Sequence, residues 1–151
     1  MAGLKLRAGD SDDFAVISAI LQDALVAIGE MAYLPEESRF VLVANRFRWE
    51  PEAGGTRKNF ERTLSGLCFD GVKAVQRRGF NPREADRILS LLAIRVDTDT
   101  DPAAKSATIL LEFAGGSSVR LDVTDLLCHL DDLGEPWPTR WRPKHPVADR
   151  D

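Results

Sequence analysis

The stretch Ser106–Gly134 constrains this chain more than any other, because it joins three elements with almost nothing between them. It reads S-A-T-I-L-L-E-F-A-G-G-S-S-V-R-L-D-V-T-D-L-L-C-H-L-D-D-L-G. Two β-type runs flank Gly115-Gly116, and a two-residue primed turn needs the positive φ that glycine supplies, so a hairpin is expected. Leu126, Leu127, Leu130 and Leu133 then recur at helical spacing, with Gly134 placed to end the helix. The spacing therefore predicts a C-terminal amphipathic helix straight after a hairpin.

The rest of the chain supplies strands for that helix to cover. Leu4 to Arg7 reads as a short β lead-in. Asp10, Ser11 and Asp12 form a helix-start cluster, and Phe14, Ile17, Leu21 and Ala24 give one apolar stripe, so a helix is expected over about 11–24. Residues 25–34 and 39–49 read as a hairpin about the turn Pro35–Ser38. In its second strand Phe40, Leu42 and Ala44 share one face, opposite Val41, Val43, Asn45, Phe47 and Trp49. Residues 50–59, with Pro51, Gly54 and Gly55, read as a loop. Residues 62–78 read as two strands joined by an Asp70-Gly71 turn, in preference to one strand bent at a glycine. Glu84 to Arg87 reads as a helical turn, residues 88–97 as a strand, and 98–105 as a polar, acidic loop. Residues 134–151, rich in proline and carrying Trp137 and Trp141, read as an irregular tail pinned to the body by those tryptophans.

Short connections between strands require antiparallel pairing. The expected fold is therefore α+β: one domain over residues 1–151, with a curved antiparallel sheet or partial barrel, an N-terminal helix and a C-terminal capping helix. That order is like the one in pleckstrin-homology-like barrels, and the comparison carries no ligand with it. At 151 residues one domain holds a sufficient core without a metal or disulfide. Cys68 and Cys128 are expected as buried free thiols. The chain has no apolar leader and no run of 18 apolar residues, which predicts a cytoplasmic protein with no membrane partner.

The strings L-Q-D-A at 21–24, A-Y-L-P at 32–35, F-V-L-V-A-N-R-F-R-W-E at 40–50 and the segment 106–133 resemble a family of small bacterial proteins, domain of unknown function 2948. The resemblance runs from about Leu4 to Trp137. It implies a single-domain, cytoplasmic, bacterial protein and brings no catalytic residues.

Few residues suggest chemistry. Asp97, Asp99 and Asp101 alternate as in a calcium loop, but Pro102 and Thr108 stand where an EF-hand needs Gly and Glu, so the segment reads as a solvated acidic loop. His129, on the expected helix, would have Asp125 and Asp132 on its own face, and reads as an exposed, locally paired histidine. His145 lies in the tail. Neither cysteine is expected to meet a histidine through strand register, and no G-x-S-x-G or C-x-x-C is present. Gly115-Gly116-Ser117-Ser118 lacks the GK[ST] ending of a phosphate loop. No catalytic residue, cofactor or metal is assigned, and the protein reads as a non-enzyme.

Charge is more informative. The net charge is −4. Yet residues 1–38 carry 2 basic and 7 acidic side chains, residues 39–87 carry 11 and 6, and residues 88–151 carry 7 and 11. The basic block places Arg46, Arg48, Arg57, Lys58, Arg62, Lys73, Arg77 and Arg78 on adjacent expected strands and the loop between them. Two function classes follow. The first is a binding or scaffold domain for a protein or peptide, which predicts an exposed apolar strip or an open edge strand. The second is an anion or nucleic-acid binder acting through the block 39–87.

Overall fold

A computed structural model describes residues 4–47, 61–98 and 106–138. Its elements are β1 Lys5–Ala8, α1 Ser11–Ile20, β2 Leu25–Ala27, β3 Met31–Leu34, β4 Arg39–Phe47, β5 Glu61–Asp70, β6 Val72–Arg78, β7 Ile88–Thr98, β8 Ala107–Phe113, β9 Ser118–Val123 and β10 Cys128–Pro138. The strands form one sheet in the order β1-β10-β5-β4-β2-β7-β8-β9-β6, with β3 also on β4. Every ladder is antiparallel. The sheet is open and curved. β5 runs into β6 across Gly71 alone, although the two lie far apart in the strand order. The sheet must therefore bend until its β6 end returns beside β5.

The expected C-terminal helix is a strand, and the pleckstrin-homology-like order loses its last member. β10 lies between β1 and β5, with Leu130 opposite Leu6 and Leu67. Paired on both edges, the segment satisfies its backbone groups in two ladders, and tertiary pairing overrides the helix propensity of leucine. A period-2 pattern lies under the helical one: Cys128 and Leu130 are fully buried, while His129 is half-buried and Leu133 exposed. The strand also runs on through 134–138, where an irregular tail was expected. Its register slips between Leu133 and Trp137, which is where Pro136, having no N–H, falls. Residues 139–151, with Trp141 and His145, lie outside the described residues.

α1 does the covering instead. Asp10 caps it by accepting from the Asp13 N–H at 2.8 Å, and Asp13 accepts from the Gly9 N–H at 3.1 Å. Phe14, Ile17 and Leu21 are buried against the sheet. The rings of Phe14, Phe69 and Phe40 form a chain with centroids 6.4 Å apart. Ser18 Oγ accepts from the Ile94 N–H at 2.9 Å, which ties the helix to β7.

Three smaller expectations also change. The segment 25–34 is two strands divided by a 3₁₀ turn at Ile28–Glu30. Residues 84–87 form turns rather than a helix. β5 and β6 are no hairpin: β5 pairs with β4 and β10, and β6 pairs with β9. Gly71, at φ 73°, bends one continuing chain. The β8–β9 hairpin is present, and its turn spans Ala114–Gly116 with Gly115 and Gly116 both at positive φ.

Candidate functional site

The basic block does not stand on one surface. On β4 the even positions Phe40, Leu42, Ala44 and Arg46 point into the core, so pleat parity carries Arg46 inward, where it is fully buried. Its Nη2 donates to Asp132 Oδ2 at 2.8 Å, and its Nε to Asp132 Oδ1 at 3.2 Å and Ser65 Oγ at 3.0 Å. The Ser65 hydroxyl donates to Asp132 Oδ1 at 2.6 Å, and the Leu4 N–H to Oδ2 at 2.8 Å. Burial alone would push the Asp132 carboxyl up, but Arg46, Ser65 and Leu4 outweigh it and hold the group below the usual aspartate range. The buried Thr63 hydroxyl, in register with Arg46, has no hydrogen-bond partner among the described residues.

Arg62, on the opposite face, is buried too. It donates to Asn45 Oδ1, and to the Asn45 carbonyl at 2.6 Å, and stacks over the Phe47 ring at 4.0 Å. Arg46 and Arg62 therefore brace one end of the sheet. Arg48, Arg57 and Lys58 lie outside the described residues.

The outer face of β5 and β10 holds a cluster that was not expected. Strand register sets His129 directly opposite Cys68. His129 Nδ1 lies 3.5 Å from Asp70 Oδ2, and Asp70 Oδ1 accepts from Arg39 Nε at 2.9 Å. His129 thus turns to Asp70 and not to Asp132, which faces inward to Arg46. A cysteine, a histidine and a carboxylate invite a nucleophile reading. However, burial and then Asp70 push the Cys68 thiol up, opposite to what an activated cysteine requires. Burial pushes Cys128 up as well, and both thiols are free, with Cys68 half-buried and Cys128 buried. Among the described residues, no group of three histidine, cysteine, aspartate or glutamate side chains could hold a metal ion.

Lys73, Arg77 and Arg78, the rest of the block, are together on β6 and exposed. None has a carboxylate partner among the described residues, whereas nearby Arg95 and Arg120 pair with Glu112 at 2.6 Å and Asp122 at 3.2 Å. β6 ends the sheet, with β9 as its ladder partner. The hydrogen-bond phase shows which of its backbone groups face outward. The Phe113 N–H donates to the Ser117 carbonyl at 2.9 Å, so every second β9 residue from Ser117, namely Val119 and Leu121, bonds toward β8. Ser118, Arg120 and Asp122 then bond toward β6, where they oppose Arg78, Gln76 and Ala74. The N–H and C=O groups of Val75 and Arg77 are left pointing away from the sheet. The other end of the ladder agrees: the Thr124 N–H donates to the Gly71 carbonyl, and Val72 turns its N–H out to Ser38 and its C=O out to Tyr33.

Beside this edge a depression of about 950 Å³ opens on the outer face, with Arg77, Arg78, Arg120, Leu92 and Leu110 in its lining. Leu92 is 48% exposed. β1 and β3, with four residues each, have less edge to offer than the seven of β6. A signal for this site was present in the sequence: V-K-A-V-Q-R-R is polar on both faces, the pattern of an edge strand.

A model of a family described as proteins of unknown function, DUF2948, matches residues 4–145. No curated protein and no solved structure matches significantly. Among the described residues no helix is long and apolar enough to cross a membrane.

Proposed function

We propose, from the premise that the chain belongs to the DUF2948 family of proteins of unknown function, that it is a non-enzymatic binding domain taking an extended segment of a protein partner on the edge of β6. One observation carries this: the outward N–H and C=O groups of Val75 and Arg77 are a half-ladder that a partner strand completes. The depression beside it supplies room for a side chain of that strand. We take the protein to act in the bacterial cytoplasm, the setting that the family resemblance implied.

Selection from a displayed library of random ten-residue peptides tests the reading. Selected peptides are expected to lose binding to Val75→Pro and to Arg77→Pro. Each substitution removes an outward N–H while leaving the β9 ladder intact, and edge strands tolerate proline there. Circular dichroism checks that both variants fold. Peptides that bind folded variants as well as the parent would overturn it.

A second reading, anion or nucleic-acid binding, is favoured by the exposed cations Lys73, Arg77 and Arg78. With Arg46 and Arg62 buried, it rests on those three and on residues outside the described ones. It predicts affinity for single-stranded RNA or polyphosphate that falls steeply with salt and is lost in Arg77→Glu/Arg78→Glu. Affinity that stays flat with salt would exclude it.

A further inference from the structure

We infer that the occupant of the β6 edge is an acidic extended segment, with two consecutive carboxylates that clasp the strand at Arg77 and Arg78. The inference rests on β6 being a docking edge and adds the chemistry of what docks. Consecutive residues on a strand point to opposite faces. Arg77 lies opposite buried Val119 and so leaves the strand on the inner face, although near the end of β6 it also lines the depression; Arg78 lies opposite Ser118 and leaves on the outer face, beside the same depression. A strand added at this edge also presents consecutive side chains to opposite faces. Two adjacent acidic residues therefore meet one arginine each, whereas acids at alternate positions meet only one face.

Charge complementarity sets the sign. Lys73, Arg77 and Arg78 are exposed without a carboxylate among the described residues, while the cations one and three strands inward, Arg120 and Arg95, are already paired. The same charge disfavours a second copy of β6, since two such edges would bring arginines together. The edge is also short. Only Val75 and Arg77 offer outward backbone pairs, so the occupant gains about four main-chain hydrogen bonds and depends on its charges for the rest.

Three capped peptides test this: Thr-Val-Glu-Glu-Val-Thr-Thr, and the same sequence with Gln-Gln or Lys-Lys at its centre. Binding is followed by fluorescence polarisation, and the site by amide hydrogen exchange of the full chain. The Glu-Glu peptide is expected to slow exchange at Val75 and Arg77. It should bind about tenfold tighter than the Gln-Gln peptide, given up to about fivefold per exposed ion pair. Its advantage should shrink as salt rises from 50 to 200 mM, with the Debye length falling from about 14 to about 7 Å. In Arg77→Glu/Arg78→Glu the preference should pass to the Lys-Lys peptide.

Equal binding and equal protection by the Glu-Glu and Gln-Gln peptides would overturn the acidic clasp and leave the docking edge standing. If none of the peptides slows exchange at Val75 and Arg77, the docking edge itself fails. Protection that grows with protein concentration and needs no peptide would make a second copy the occupant and overturn the inference.

Discussion

Two groups of cations from one basic block meet opposite fates. Arg46 and Arg62 sit at one end of the β4–β5 ladder, buried and held by Asp132, Ser65 and Asn45. Arg77 and Arg78 sit on the last strand of the sheet, exposed and without a carboxylate among the described residues. The same residue type thus acts as an internal brace in one place and as a surface charge in the other. Register and strand order make the difference, because a central strand sends alternate side chains inward while an edge strand leaves both faces near water. A run of positive charge is therefore no evidence of a positive patch until the strand order is known.

The sharpest way to break the comparison is to remove the counterion of the buried group. Asp132→Ala takes this carboxylate away from the buried Arg46 guanidinium and should cost about 3–5 kcal/mol in urea unfolding. Asp132 also gives the pH dependence. Its folded-state carboxyl is held low, so its contribution is present at neutral pH and is lost as pH falls through the folded value. The stability of the parent should drop on acidification below the usual aspartate range, and Asp132→Asn should flatten that drop. A smaller loss is expected at the corner that launches β6. Gly71→Ala forces a left-handed backbone on alanine and brings its Cβ to 2.8 Å from Thr124 Oγ1, for a cost of about 1–2 kcal/mol. Thr63→Val should raise stability by about 1 kcal/mol, since it replaces a buried hydroxyl with no described partner by a methyl of similar size. Arg77→Glu/Arg78→Glu should shift stability by no more than about 0.5 kcal/mol, in contrast to Asp132→Ala. A large loss there would mean that the edge cations brace the fold as Arg46 does.

Much of the architecture was legible in the chain. Phe14 and Ile17 mark α1, which ends at Ile20 and so falls short of the expected 11–24, and Gly115-Gly116 marks the β8–β9 hairpin, because both are local patterns. The segment 126–133 misleads, because Leu126, Leu130 and Leu133 satisfy a helical period while Cys128 and Leu130 also satisfy a strand period. The choice is made by β1 and β5, which are distant in sequence. The same non-local pairing places His129 opposite Cys68 and separates β6 from β5. Of the site, Lys73, Arg77 and Arg78 could be named from sequence. Arg120, Leu92 and Leu110 could not, since nothing local shows that β9 and then β8 lie beside β6.

The central claim is that β6 is an open edge whose Val75 and Arg77 backbones face outward. Residue-resolved amide hydrogen exchange on the free protein tests it most directly. Val75 and Arg77 should exchange rapidly while Gln76 between them, bonded to Arg120 on β9, is protected. Equal protection at all three positions would mean that the edge is already covered, and would contradict the account.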